Sequence, residues 1–164
     1  MIEYPRGRIL ERSELSELVG DLASRPAAWG NLVSHDPSRR FYKQLWRDDH
    51  VTAWLICWMQ DHDTGFHDHD LSSGAVAVAE GHVCEERLVL GGRPTVRSFG
   101  PGETFDFAAS DIHRVVHAGL VPAVTLHAYS PPLWRMGAYA IQPGGLLARH
   151  SVSYAEELRP LEVG

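Results

Sequence analysis

The chain has 164 residues, enough for one domain with a sizeable core, and its 44% hydrophobic and 22% charged content is ordinary for a globular protein. A formal net charge of -6 with scattered Lys and Arg argues against nucleic acid or an anionic membrane as partner. No apolar run approaches the ~20 residues of a membrane span, the first residues carry no apolar leader, and Cys57 and Cys84 lack metal-binding spacing. The expectation is a cytoplasmic protein with two reduced thiols.

Residues 13–24 read as a helix capped by Ser13, with Glu14 and Glu17 at its positive end and Leu15, Leu18, Val19 and Leu22 at helical spacing. Pro26 marks its end, and its apolar stripe is expected to pack on the rest of the fold. From residue 41 the pattern changes to short apolar or alternating segments at 41–47, 51–59, 75–79, 82–90, 95–99, 104–107, 114–117, 123–129 and 134–141. Turn signals separate them, among them Asp48-Asp49, Glu80-Gly81, Gly91-Gly92, Gly100-Pro101-Gly102 and Pro131-Pro132. Many short, regularly punctuated strands indicate an all-β sandwich or barrel. The expected organisation is a single domain: an N-terminal helical extension over about 1–30, a barrel over about 40–142, and a tail over 143–164 with no readable element.

Ten histidines are the unusual item in the composition. In the run Gly65-Phe66-His67-Asp68-His69, an extended backbone would put His67 and His69 on one face and Asp68 on the other. Two imidazoles so placed can bind one metal ion, although a solvated acidic loop would use the same residues. A Gly100-Pro101-Gly102 turn into a strand follows, and His113 comes about ten residues later. This HxH, Gly-Pro-Gly, His order resembles the paired motifs of the cupin fold, a double-stranded β-helix or jelly-roll barrel. That resemblance implies that His113 joins His67 and His69 at one metal. The usual cupin Glu, four or five residues after the second histidine, is replaced by Ser73 or Gly74. Three neutral imidazoles without a carboxylate leave a dipositive site with open positions, suited to ferrous iron with an anionic substrate and dioxygen. Zinc also accepts three histidines and water, so the ligands alone leave the metal open.

Further along, alternation in 123–129 puts Thr125, His127 and Tyr129 on one strand face. A hydroxyl, an imidazole and a phenol in a row can form a hydrogen-bonded relay; a solvated strand face would give the same pattern. With Cys57-Trp58, Gly65-Phe66-His67-Asp68-His69, His113-Arg114-Val115 and Leu126-His127-Ala128-Tyr129-Ser130-Pro131-Pro132 in this order, residues 41–133 resemble the cysteine dioxygenase family of cupin thiol dioxygenases. The resemblance implies an all-β cupin with a short N-terminal helix. It implies a mononuclear non-haem Fe(II) held by His67, His69 and His113, and an outer relay of Thr125, His127 and Tyr129 with Thr in place of Ser. It further implies oxidation of a small thiol, cysteine or a related mercapto acid, by dioxygen to a sulfinic acid.

Two departures from the family pattern stand out. The cysteine that some members cross-link to the active-site tyrosine is Gly74 here, so Tyr129 is expected to be unmodified, as in many bacterial members. The family's carboxylate-binding arginine on the first barrel strand has no counterpart in register. Lys43 or Gln44 is expected in its place, and Lys would lack the bidentate geometry of Arg. The alternatives are a cupin metalloenzyme of different chemistry, an isomerase or non-thiol dioxygenase, and a non-catalytic small-molecule-binding cupin. The first gives no reason for the Thr125-His127-Tyr129 row, and the second would bind metal without oxygen uptake on any thiol. His35, His50, His82 and His150 read as solvated, His62 and His117 lie near the motifs, Trp54, Trp58 and Trp134 read as packing residues, and Glu85-Glu86 as an exposed strand edge. The expected partners are the thiol and dioxygen, for a monomer or small homo-oligomer.

Overall fold

The computed structural model describes residue 4 and residues 7–154. A helix, α1 (Arg12–Ala23), and two short 3-10 turns precede eleven strands. These are β1 (Phe41–Arg47), β2 (Thr52–Trp58), β3 (Phe66–Asp68), β4 (Ser73–Glu80), β5 (His82–Arg87), β6 (Thr95–Phe99), β7 (Thr104–Phe107), β8 (His113–Ala118), β9 (Ala123–Ser130), β10 (Arg135–Ile141) and β11 (Leu147–Ser153). One sheet runs β1-β2-β9-β4-β7 and the other β11-β10-β3-β8-β5-β6, with antiparallel pairing throughout.

The helix starts earlier than its sequence suggests. Glu11, not Ser13, is the N-cap, because Glu14 reaches back to accept the Glu11 backbone N–H at 2.9 Å. Ser13 sits inside the first turn. Leu15, Leu18, Val19 and Leu22 form the buried stripe, as their spacing predicts.

Period-two alternation gives the five-stranded sheet two buried faces. On one face Ala53, Leu55 and Cys57 of β2, Ala75 and Ala77 of β4, and Val124, Leu126 and Ala128 of β9 pack with the α1 stripe and Trp29. The small alanines let the helix lie close to the sheet. On the other face Trp58, Val76, Phe107 and Tyr129 meet Val83, Phe99, Val115 and Met136 of the second sheet. This second cluster is the interior between the sheets. Strand β9, central and covered on both sides, is buried along its whole length. The solvated-face alternative for Thr125, His127 and Tyr129 is therefore excluded.

The tail contains an element the sequence hides. Strand β11 pairs along β10 from Arg135↔Ser153 to Ile141↔Leu147. It is an edge strand, largely exposed, and so lacks hydrophobic alternation. Its Arg149 reaches across β10 to Asp68, passing over Gly137, where a Cβ would lie 2.2 Å from the Arg149 Nε. No helix among the described residues is long and apolar enough to cross a membrane.

Candidate metal centre

Strand register brings the three histidines together. His67 of β3 stands directly opposite His113 of β8, and His69 follows β3 on the same face as His67. The ring centroids lie 4.8 Å (His67–His69), 4.7 Å (His67–His113) and 5.1 Å (His69–His113) apart. One ring nitrogen from each falls within 4.8 Å of the others. All three are buried, and burial is the leading reason each resists protonation. His67 is lowered to about 4, and His69 and His113 fall well below the usual 6.5. Three neutral, converging imidazoles have the protonation state that a divalent cation requires.

Each ring is fixed differently. His67 Nδ1 donates to the Gly65 carbonyl at 3.0 Å, and His113 Nδ1 donates to Glu85 at 2.9 Å. His69 stacks on Phe107, with centroids 4.4 Å apart at 20°. The His113 Nε2 and His69 Nδ1 atoms are buried without a hydrogen-bond partner. A buried imidazole nitrogen so left is costly unless a ligand takes its lone pair. A dication bound at His113 Nε2 would remove that cost, so the residues fit a metal ion.

Asp68, between the two histidines in sequence, points away from them and anchors the strand. Its carboxylate accepts from Arg149 Nε at 2.8 Å, Arg149 Nη2 at 3.0 Å, Tyr139 Oη at 2.5 Å and the Gly137 N–H at 3.0 Å. Burial opposes its charge, but these donors hold its carboxyl well below the usual carboxylate range.

The predicted row on β9 is a connected relay, and it extends one residue further than predicted. Trp58 Nε1 lies 2.8 Å from Thr125 Oγ1, which lies 2.8 Å from His127 Nε2; His127 Nδ1 lies 3.2 Å from Tyr129 Oη. An indole can only donate, so Thr125 accepts from Trp58. The Thr125 proton then goes to His127 Nε2 rather than to the Ile56 carbonyl at 3.5 Å. Burial lowers His127 to about 3, so its single proton sits on Nδ1 and is donated to Tyr129. Burial also raises the Tyr129 phenol above its usual value. Tyr129 thus keeps its own proton and can donate a hydrogen bond into the cavity.

A cavity of about 90 Å³ opens over these groups. Its walls include His67, His69, His113, His127, Tyr129 and Arg40. No acidic residue is among those lining it. Lys43 and Gln44, the expected substrate-binding residues, do not line it, and both are exposed. Alternation explains the placing of Lys43. Lys43 shares its face with Phe41 and Leu45, which pack toward the helix side, while Gln44 lies opposite Trp54, further along β1 than Tyr42. The cation in the cavity is Arg40, just before β1, only 6% exposed, with its guanidinium 5.3 Å from the Trp58 ring centroid. Its charge helps to lower His67, His127 and Tyr129, which places it within electrostatic reach of both the three-histidine cluster and the relay.

Other expectations also change. Trp54 and Trp58 line the cavity, whereas Trp134 is 67% exposed. Glu85 is not at an exposed edge but buried beneath His113. His62 accepts the Met59 N–H and His117 donates to the Val121 carbonyl, so both brace turns. Gly74 lies opposite Tyr129 on β9, and a Cβ there would come within 2.4 Å of Phe107 and 2.9 Å of Tyr129. Phe107 fills the space that a side chain at position 74 would need.

Comparison with known proteins places this geometry. Among solved structures, a protein from Thermus thermophilus matches at 18% identity and TM-score 0.54, over 63% of this chain and 93% of its own. An uncharacterised protein with a double-stranded β-helix domain from Klebsiella pneumoniae matches at 12% identity and TM-score 0.55, over 62% and 80%. A cupin superfamily protein from Desulfitobacterium hafniense matches at 13% identity and TM-score 0.54, over 64% and 87%. At such identities the likeness establishes the fold, which is the cupin double-stranded β-helix. No curated protein matches the sequence. The model of the family described as cysteine dioxygenase type I matches residues 2–142. A cupin with a buried cluster of three histidines that could hold a metal ion, matched over most of its length by that model, this chain is a member of the cysteine dioxygenase type I family.

Proposed function

We propose that the chain is an iron-dependent thiol dioxygenase that converts a small carboxylate-bearing thiol and dioxygen into the sulfinic acid. In balance, a thiolate and one dioxygen give one sulfinate, with both oxygen atoms bonded to sulfur and sulfur as the four-electron donor. The observation that carries the reading is the Trp58-Thr125-His127-Tyr129 relay, which ends on a protonated phenol in the same cavity as the three histidines. A passive binding cupin has no use for a buried hydrogen-bond chain ending on a phenol beside its three histidines.

Ferrous iron at His67, His69 and His113 would supply a charge that favours thiolate over thiol and open positions for an anionic substrate and dioxygen. The protein's own residues do the rest. Arg40 is the cavity's cation and takes the substrate carboxylate, which directs the thiol toward the histidines. Tyr129 keeps its proton and donates a hydrogen bond to an oxygen of the reacting group, while His127 and Thr125 hold the phenol in place. Val76, Phe107, Val115, Leu133 and Met136 give the remaining wall an apolar surface that limits water.

The test is oxygen uptake by anaerobically iron-loaded protein with L-cysteine, 3-mercaptopropionate, mercaptosuccinate and cysteamine. Saturable uptake with a carboxylate-bearing thiol, and little with cysteamine, is expected. No uptake with any thiol, at one iron per chain, would favour a cupin of different chemistry.

A further inference from the structure

We propose that Glu85 is a positioning residue for the metal centre: it orients His113 and supplies, one layer behind the ligands, the carboxylate charge that three imidazoles lack. The proposal rests on His67, His69 and His113 being metal ligands, and is independent of which substrate the centre acts on.

Glu85 lies in the middle of β5 and is 1% exposed. Its Oε1 accepts from His113 Nδ1 at 2.9 Å and from Arg87 Nη2 at 2.7 Å, and its Oε2 accepts from Arg97 Nη2 at 2.8 Å. Sheet register builds this cluster. On β5, Arg87 stands opposite His113 of β8, and Glu85 stands opposite Arg97 of β6. Val83, two residues earlier on the same face, is buried in the core cluster and shows that an apolar side chain can be packed on this side of β5. A carboxylate here is costly to bury and needs a reason.

The geometry supplies one. With the His113 Nδ1 proton given to Glu85, the ring has a single tautomer, and its other nitrogen, Nε2, is buried with no hydrogen-bond partner. The three candidate ligands differ in what stands behind them. His67 has a neutral carbonyl, His69 the face of Phe107, and His113 alone has a charge. A carboxylate behind a ligand imidazole raises its donor strength without occupying a coordination position. The position where cupins usually carry a ligand carboxylate holds Ser73 and Gly74 here. Arg87 and Arg97 share the anion, so the charge reaching His113 is only part of a full one.

The experiment is anaerobic Co(II) titration of the full chain, by chelator competition and ligand-field absorption, for wild type, Glu85→Gln and Arg97→Ala. Gln keeps the shape and an acceptor for His113 but removes the charge. We expect Glu85→Gln to bind Co(II) roughly 10-fold or more weakly, with shifted absorption bands and a folded apoprotein by circular dichroism. Arg97→Ala leaves Glu85 with one cation fewer, so its bands should shift the opposite way, with affinity equal to or above wild type. Wild-type affinity and superimposable bands in Glu85→Gln would overturn the proposal. If Glu85→Gln fails to fold, Arg97→Ala decides, and an unchanged spectrum there overturns it. Wild type that binds no Co(II) would remove the three-histidine reading and this proposal with it, whereas Co(II) binding without thiol oxygenation would touch only the proposed reaction.

Discussion

Tyr129 is buried with its ring centroid 5.2 Å from that of His69 and 6.2 Å from that of Phe107, yet its hydroxyl has a defined donor, His127, and a proton of its own for a hydrogen bond. Replacing it with Phe removes that proton and leaves all three histidines in place. Turnover of Tyr129→Phe should therefore fall by about 10²-fold, the lower end for loss of one preorganised hydrogen-bond donor. Iron bound per chain, measured by elemental analysis, should stay at the wild-type level. Loss of iron in that variant would show that Tyr129 supports the ligands rather than the reaction. Alternation alone placed His67 with His69, and Thr125 with His127 and Tyr129, because side-chain direction in a strand is a local property. Arg40 and Glu85 were not legible in the same way. Arg40 precedes its strand, so no alternation governs it, and Glu85 is buried only because Arg97, Arg87 and His113 converge on it from three strands.

Among the elements, β3 is only Phe66–Asp68, and its position depends on what lies beside and behind it. Its neighbours are β8 and β10, and Arg149 of β11 spans β10 to hold Asp68. Arg149→Ala removes two donors from a nearly buried carboxylate, while Tyr139, Gly137 and Asp70 still bond it. With Arg149 itself partly solvated, the cost should be about 1–2 kcal/mol, read as a melting temperature a few degrees lower. An unchanged melting curve would show that the remaining donors suffice. The strands with one apolar face announced themselves through alternation, and several of their limits, such as Phe41–Arg47 and Thr104–Phe107, match the sequence pattern. Strand β11 did not, because it is largely exposed, with only Ala148 and Val152 half-buried, and exists through its pairing with β10. The helix cap was misplaced for a similar reason: Glu11 uses backbone and carboxylate groups that compete with the more familiar Ser13.

For the whole molecule, burying four imidazoles between the two sheets sets a pH dependence. His67, His69, His113 and His127 are neutral when folded, at values depressed from the usual 6.5, whereas the unfolded chain titrates near that value. As pH falls below about 6.5, the unfolded state takes up protons that the folded state refuses. Stability is therefore full above that pH and is lost as pH falls toward about 4 for His67 and about 3 for His127, at roughly 1.4 kcal/mol per pH unit for each histidine. Thermal unfolding of the metal-free protein should show a steep fall in melting temperature between about pH 6.5 and pH 4.5. A flat profile over that interval would mean that these rings are not held neutral. The central claim, that this three-histidine cupin oxygenates sulfur, is tested most directly by the mass of the product formed from the active thiol under ¹⁸O-labelled dioxygen. The account predicts a sulfinic acid in which both oxygens are labelled. A product carrying a single label, or unlabelled disulfide as the only product, would contradict it.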